Sequence, residues 1–66
     1  MNYAAFISIN PTIRFGKPCI KNTRITVYDV LGWLASGMKI KEILEDFPEL
    51  NHEEILACLA FAADKN

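Results

Sequence analysis

The chain is poor in the residues that most chemistry needs: one histidine and two cysteines in 66 residues, with a formal net charge of −1. His52 stands between Asn51 and Glu53 with no cysteine neighbour in sequence, and it reads as a surface residue of a first helical turn rather than a base or a ligand. Cys19 and Cys58 have neither CxxC spacing nor the partners of a metal set. No catalytic residue, metal or cofactor is implied, so an enzyme is not expected. The N-terminus lacks a charged start followed by an apolar run and a small-residue cleavage site, which predicts a cytoplasmic protein with reduced thiols. The longest apolar run, Ile55 to Ala63, is nine residues, against the roughly 20 that span a bilayer. A membrane partner is therefore not expected. Repeats, low-complexity tracts and linkers are also missing, and the sequence predicts a single domain over residues 1–66.

A domain this short buries only about 60% of its unfolded surface, which leaves its stability marginal unless it is stapled or paired. Without a disulfide, metal or membrane, pairing is the remaining route, and a homodimer is the expectation. Charge is present but segregated. Residues 1–41 carry Arg14, Lys17, Lys21, Arg24, Lys39 and Lys41 against Asp29 alone, a net +5. Residues 42–66 carry seven acids against Lys65, a net −6. Such asymmetry suits one face for a polyanion and another for a basic partner; a solvated surface with incidental clustering is the alternative.

The first 25 residues read as a short β extension. Phe6-Ile7-Ser8-Ile9 is a strand stopped by the turn signal Asn10-Pro11, and Ile13-Arg14-Phe15 alternates apolar and basic residues until Gly16 and Pro18 break it. Cys19-Ile20-Lys21 and Arg24-Ile25 flank Asn22-Thr23 as a small hairpin would. The stretch Gly16 to Ile25 as a whole is too polar for a core strand. Residues 26–64 read as three helices. Thr26 and Asp29 make a capping box ahead of the stripe Val27, Val30, Leu31 and Leu34, and Gly37 ends that helix. Ile40, Ile43, Leu44 and Phe47 form the second stripe, stopped by Pro48. A second capping box, Asn51 with Glu54, opens a third helix that runs to about Ala63. The expected fold is mainly α: a trihelical, helix-turn-helix, homeodomain-like unit behind short N-terminal strands.

Two blocks of residues resemble the bacterial domain of unknown function 433 family. The first runs from Ile9-Asn10-Pro11 through Gly16-Lys17-Pro18-Cys19-Ile20 to Thr23-Arg24-Ile25. The second holds Leu34-Ala35-Ser36-Gly37, Glu42-Ile43-Leu44, Asp46-Phe47-Pro48-Glu49-Leu50 and Glu54-Ile55. The resemblance implies a homeodomain-like trihelical unit with a β extension, and a role like that of VapB-type antitoxins. Such antitoxins bind their own promoter and neutralise a PIN-like ribonuclease toxin by direct contact. Asn22 stands where the family usually has glycine, and asparagine is the best substitute at positive φ. Lys39 stands where the family favours Ser or Thr, so a helix cap is forfeited at about 1 kcal/mol, unless an anion at that helix start offsets the loss.

A helix-turn-helix normally sends its second helix into the major groove. Here that helix begins Asn51-His52-Glu53-Glu54 and continues with nine apolar residues. Glutamates repel phosphate, and a helix apolar all round is covered on more than one side. The expectation is that Ile55, Leu59 and Ala62 face inward while Leu56, Ala60 and Ala63 face a second chain. Trp33, off the first stripe, is a further interface anchor. Candidate DNA contacts then fall to Arg14, Lys17, Lys21 and Arg24, with Lys39 and Lys41. A structural role for Arg24 and Lys17, bonding loop carbonyls or the acidic half, is the competing reading. Cys19, after Pro18, is expected to be partly exposed near Lys17 and Lys21, and Cys58 to be core. Two functions remain: an antitoxin-like regulator that binds operator DNA and a PIN-like toxin, or a protein-interaction module without DNA affinity.

Overall fold

The first helix starts where its cap requires. In the computed structural model, which describes residues 1–65, the Thr26 hydroxyl accepts from the Asp29 amide at 2.9 Å and the Asp29 carboxylate accepts from the Thr26 amide at 3.0 Å. Helix α1 then spans Val27–Ala35. It ends in a Schellman turn: Gly37 N–H donates to Leu34 C=O and Met38 N–H to Trp33 C=O, with Gly37 at φ +102°. Helix α2 spans Ile40–Asp46 and helix α3 His52–Asp64. Asn51 and Glu54 exchange both bonds of the expected box before α3. Before α2 only half of a box exists. Glu42 accepts from the Lys39 amide at 2.8 Å, but a lysine ammonium has no lone pair to return.

Ahead of the helices lies a two-stranded antiparallel ribbon, β1 (Ile7–Ser8) paired with β2 (Cys19–Ile20) in the register Ile7 with Ile20 and Ser8 with Cys19. Three expectations are corrected here. The strand at Phe6 to Ile9 shortens to two residues, and its partner is β2. The hairpin across Asn22-Thr23 exists only as a bridge between Cys19 and Thr26, with Ile20 N–H donating to Ile25 C=O at 2.9 Å. Ile13-Arg14-Phe15 is no strand: residues 14–16 form a turn with three successive positive φ values, 49°, 60° and 79°.

The segment read as too polar for a core strand contributes two of the most buried side chains. Ile20 is wholly inaccessible and Cys19 is 3% exposed. The pattern is alternation by place, not by composition: Lys17, Lys21 and Arg24 turn outward while Cys19, Ile20, Thr26 and Val27 turn inward. Cys19, expected to be partly exposed, instead directs its thiol at the Lys17 carbonyl, 3.4 Å away. Ile7, Ile20, Val27, Val30, Ile43, Leu50, Ile55, Ala57, Cys58 and Phe61 make one continuous core. Burial, with the Glu54 charge nearby, pushes the Cys58 thiol up to about 12, so it stays neutral within that core. The N-terminal turn Tyr3–Ala5 closes one end. Tyr3 meets the Phe61 ring edge-on at 5.5 Å and hydrogen-bonds to the Asp64 carboxylate, which raises the phenol's pKa above its ordinary value.

Candidate nucleic-acid interface

Residues 10 to 24 fold back on themselves through a chain of local bonds. The Asn10 side chain accepts from the Thr12 amide and hydroxyl, 2.9 and 2.8 Å, and Ile13 N–H donates to Asn10 C=O. Gly16 N–H then donates to Ile13 C=O and Lys17 N–H to Arg14 C=O. Two non-glycine residues, Arg14 and Phe15, sit in the left-handed region, at about 1–2 kcal/mol each. Asn22, at φ +64°, holds a third such position at the hairpin tip, where the sequence placed it. Segment 8–13 and turn 21–24 line one shallow groove, with Ile9, Pro11 and Ile13 beside Lys21 and Arg24.

The six candidate cations do not share one environment. Arg14 is engaged internally: its guanidinium donates to the Arg24 carbonyl at 2.8 Å and to Asp29 at 3.1 Å. The structural role weighed for Arg24 thus belongs to Arg14, and it is the Arg24 backbone, not its side chain, that takes part. Partial burial pushes Asp29 up, but the Thr26 amide and hydroxyl and the Arg14 guanidinium outweigh it and hold the carboxyl below its ordinary range. Lys17, Lys21 and Arg24 are exposed, and among the described residues none of them makes an ion pair. Lys39 and Lys41 are exposed at the start of α2, and Lys41 lines a second hollow with Ile40, Leu44, Glu45 and His52. Lys21 and Arg24 share the groove, Lys17 is exposed without lining it, and no acidic residue precedes Asp29 in the sequence.

The apolar candidates also divide. Trp33 stacks on Phe47 of the same chain, ring centroids 4.5 Å apart and planes 13° from parallel. Along α3 the core face centres on Cys58 and Phe61, and this corrects Leu59. Expected inward, it is 40% exposed, beside Leu56 at 37%. At about 100° per residue, Leu56, Leu59, Ala60 and Ala63 fall on the side of α3 away from Ile55, Ala57, Cys58 and Phe61. Ala60 is half-buried, Ala63 exposed and Ala62 half-buried. Phe15 was missed. As a member of an alternating strand it was an ordinary apolar residue; the only signal was its place between Arg14 and Gly16, the latter a ready left-handed position.

The fold and this surface define a small trihelical domain with a basic, turn-rich arm. A family model described as protein of unknown function (DUF433) matches residues 7–62, and the chain belongs to that family. The uncharacterized protein y4eO of Sinorhizobium fredii (strain NBRC 101917 / NGR234) is 34% identical over 56 residues, covering 85% of this chain and 25% of that protein. The crystal structure of a DUF433 member protein from Anabaena variabilis superposes with a TM-score of 0.87 at 30% identity, covering 96% of this chain and 66% of that one. The chain thus spans a quarter of the curated relative and just under two thirds of the solved one.

Proposed function

We propose that the chain is a cytoplasmic, non-enzymatic, antitoxin-like transcription regulator. It binds operator DNA as a homodimer through its basic arm and neutralises a PIN-like ribonuclease by direct contact. The observation that carries this reading is the arm itself: Lys17, Lys21 and Arg24 exposed on a bonded, turn-rich frame, within a stretch that has no acid before Asp29. Cations so placed attract phosphate and release the counterions condensed on it, which gives salt-sensitive affinity without base contacts. Helix α3 is ill suited to the groove, because Glu53 and Glu54 occupy its first turn and its body belongs to the core. Its outer stripe of Leu56, Leu59, Ala60 and Ala63 instead suits the second copy, which doubles the cations offered to one duplex.

The test is to compare K17A/K21A with K39A/K41A in binding to a mixed-sequence duplex. The first pair should lower the salt slope by about 0.9 for each phosphate that is no longer neutralised. The second pair should change it less. Equal losses from the two pairs would move the binding surface to α2, and a K17A/K21A variant that binds as the wild-type chain does would sink the reading.

A further inference from the structure

Phe15 is the most exposed large apolar side chain of the described residues, at 97%, and the backbone around it is built to keep it there. Its turn is closed by the bonds Gly16 N–H to Ile13 C=O and Lys17 N–H to Arg14 C=O, 3.0 and 3.2 Å. The Arg14 guanidinium then pins the turn to the hairpin tip at Arg24 and to α1 at Asp29. The phenyl ring therefore projects from a fixed, left-handed bend. Its surroundings are net cationic: Lys17 follows two residues later, Arg14 holds the Arg24 backbone alongside, and the nearby Asp29 carboxylate is paired with Arg14 at 3.1 Å. A surface that offers one apolar ring among cations complements a polyanion with an apolar interior. A nucleic acid has that pairing of phosphates and stacked bases. Single-strand platforms stack successive bases on several aromatic side chains, whereas a single apolar side chain on a protruding element acts as a wedge between base pairs of a duplex.

The geometry points to Phe15 as such a wedge: it enters a duplex between two base pairs and unstacks them, while Lys17 and Arg24 hold the flanking phosphates. This inference rests on the duplex-binding reading above and deepens it. Unstacking costs least where pairing is already weak. The wild-type chain should therefore prefer a duplex of about 25 base pairs with a central mismatch over its fully paired counterpart, by about tenfold. It should also bend the paired duplex at a central TA step, as read by energy transfer between dyes on its ends. F15A should keep the salt slope and lose both the mismatch preference and the bend, and F15L should retain part of each. The fold is not at stake, because the ring is solvent-exposed and alanine meets the same positive φ, so F15A should match wild type in circular dichroism and thermal midpoint.

An F15A chain that still bends DNA and still prefers the mismatch overturns the wedge while leaving duplex binding intact. So does tighter, Phe15-dependent binding of single strands, or an F15A effect confined to self-association in sedimentation. A wild-type chain with no affinity for either duplex at low salt removes both the wedge and the reading beneath it.

Discussion

At the scale of single residues, the basic arm depends on side chains that satisfy backbone geometry. Asn22 holds φ +64° at the hairpin tip. Asn22→Ala should lower stability by about 1 kcal/mol, whereas Asn22→Gly should be neutral or slightly stabilising, as urea midpoints would show. Asp29 gives a pH signature. Its carboxyl is held below the ordinary range, so the folded state favours the ionised form. The stability it contributes is fully present above the unfolded value of about 4 and is lost as pH falls through the lower folded value. Asp29→Asn should therefore lower stability at neutral pH and flatten the acid limb of the stability profile below about pH 4. An unchanged acid limb would show that Asp29 carries no such linkage. The capping residues Thr26, Asn51 and Glu54 were legible in sequence because a cap is a local pattern of three or four positions. Arg14 was not, since its partners lie ten and fifteen residues away and nothing in the local pattern announces them.

At the scale of elements, the helices were legible and the arm was only partly so. The stripes of α1 and α2 repeat at helical spacing, and Gly37 and Pro48 bound them. The face of α3 was misjudged at Leu59, because nine consecutive apolar residues give no polar contrast to orient the wheel. In the arm, the strand positions at Phe6-Ile7-Ser8-Ile9 and Cys19-Ile20-Lys21 are legible but their pairing with each other is not, because two-residue strands carry too little alternation to set a register. The left-handed turn at residues 14–16 lies where the alternation of Ile13-Arg14-Phe15 predicts a strand. Helix α2 starts at a lysine that cannot cap it, with only the Glu42 half of the box in place. Lys39→Ser should supply the missing acceptor and raise stability by about 1 kcal/mol in thermal or urea unfolding. No gain would mean that another group already satisfies that helix end.

At the scale of the whole molecule, a 66-residue domain leaves Leu56 and Leu59 in water on the outer side of α3. The domain closes its own core without them, so Leu56→Lys with Leu59→Lys should preserve helicity and abolish the proposed dimer, leaving a monomer mass in sedimentation where the wild-type chain is expected to give a dimer. Dimers that persist in that variant would place the interface elsewhere. No helix of the described residues is long and apolar enough to cross a membrane, and the one acid of residues 1–41, Asp29 at the start of α1, is paired with Arg14 of the arm. Lys17, Lys21 and Arg24 are exposed and make no ion pair among the described residues, which is what the proposed polyanion contact requires. The most direct measurement is the equilibrium affinity of the wild-type chain for a mixed-sequence duplex across a salt series. Three phosphates neutralised by each copy of a dimer predict a slope of log affinity against log salt of about −5. Binding that is undetectable at low ionic strength, or that does not change with salt, would contradict the account.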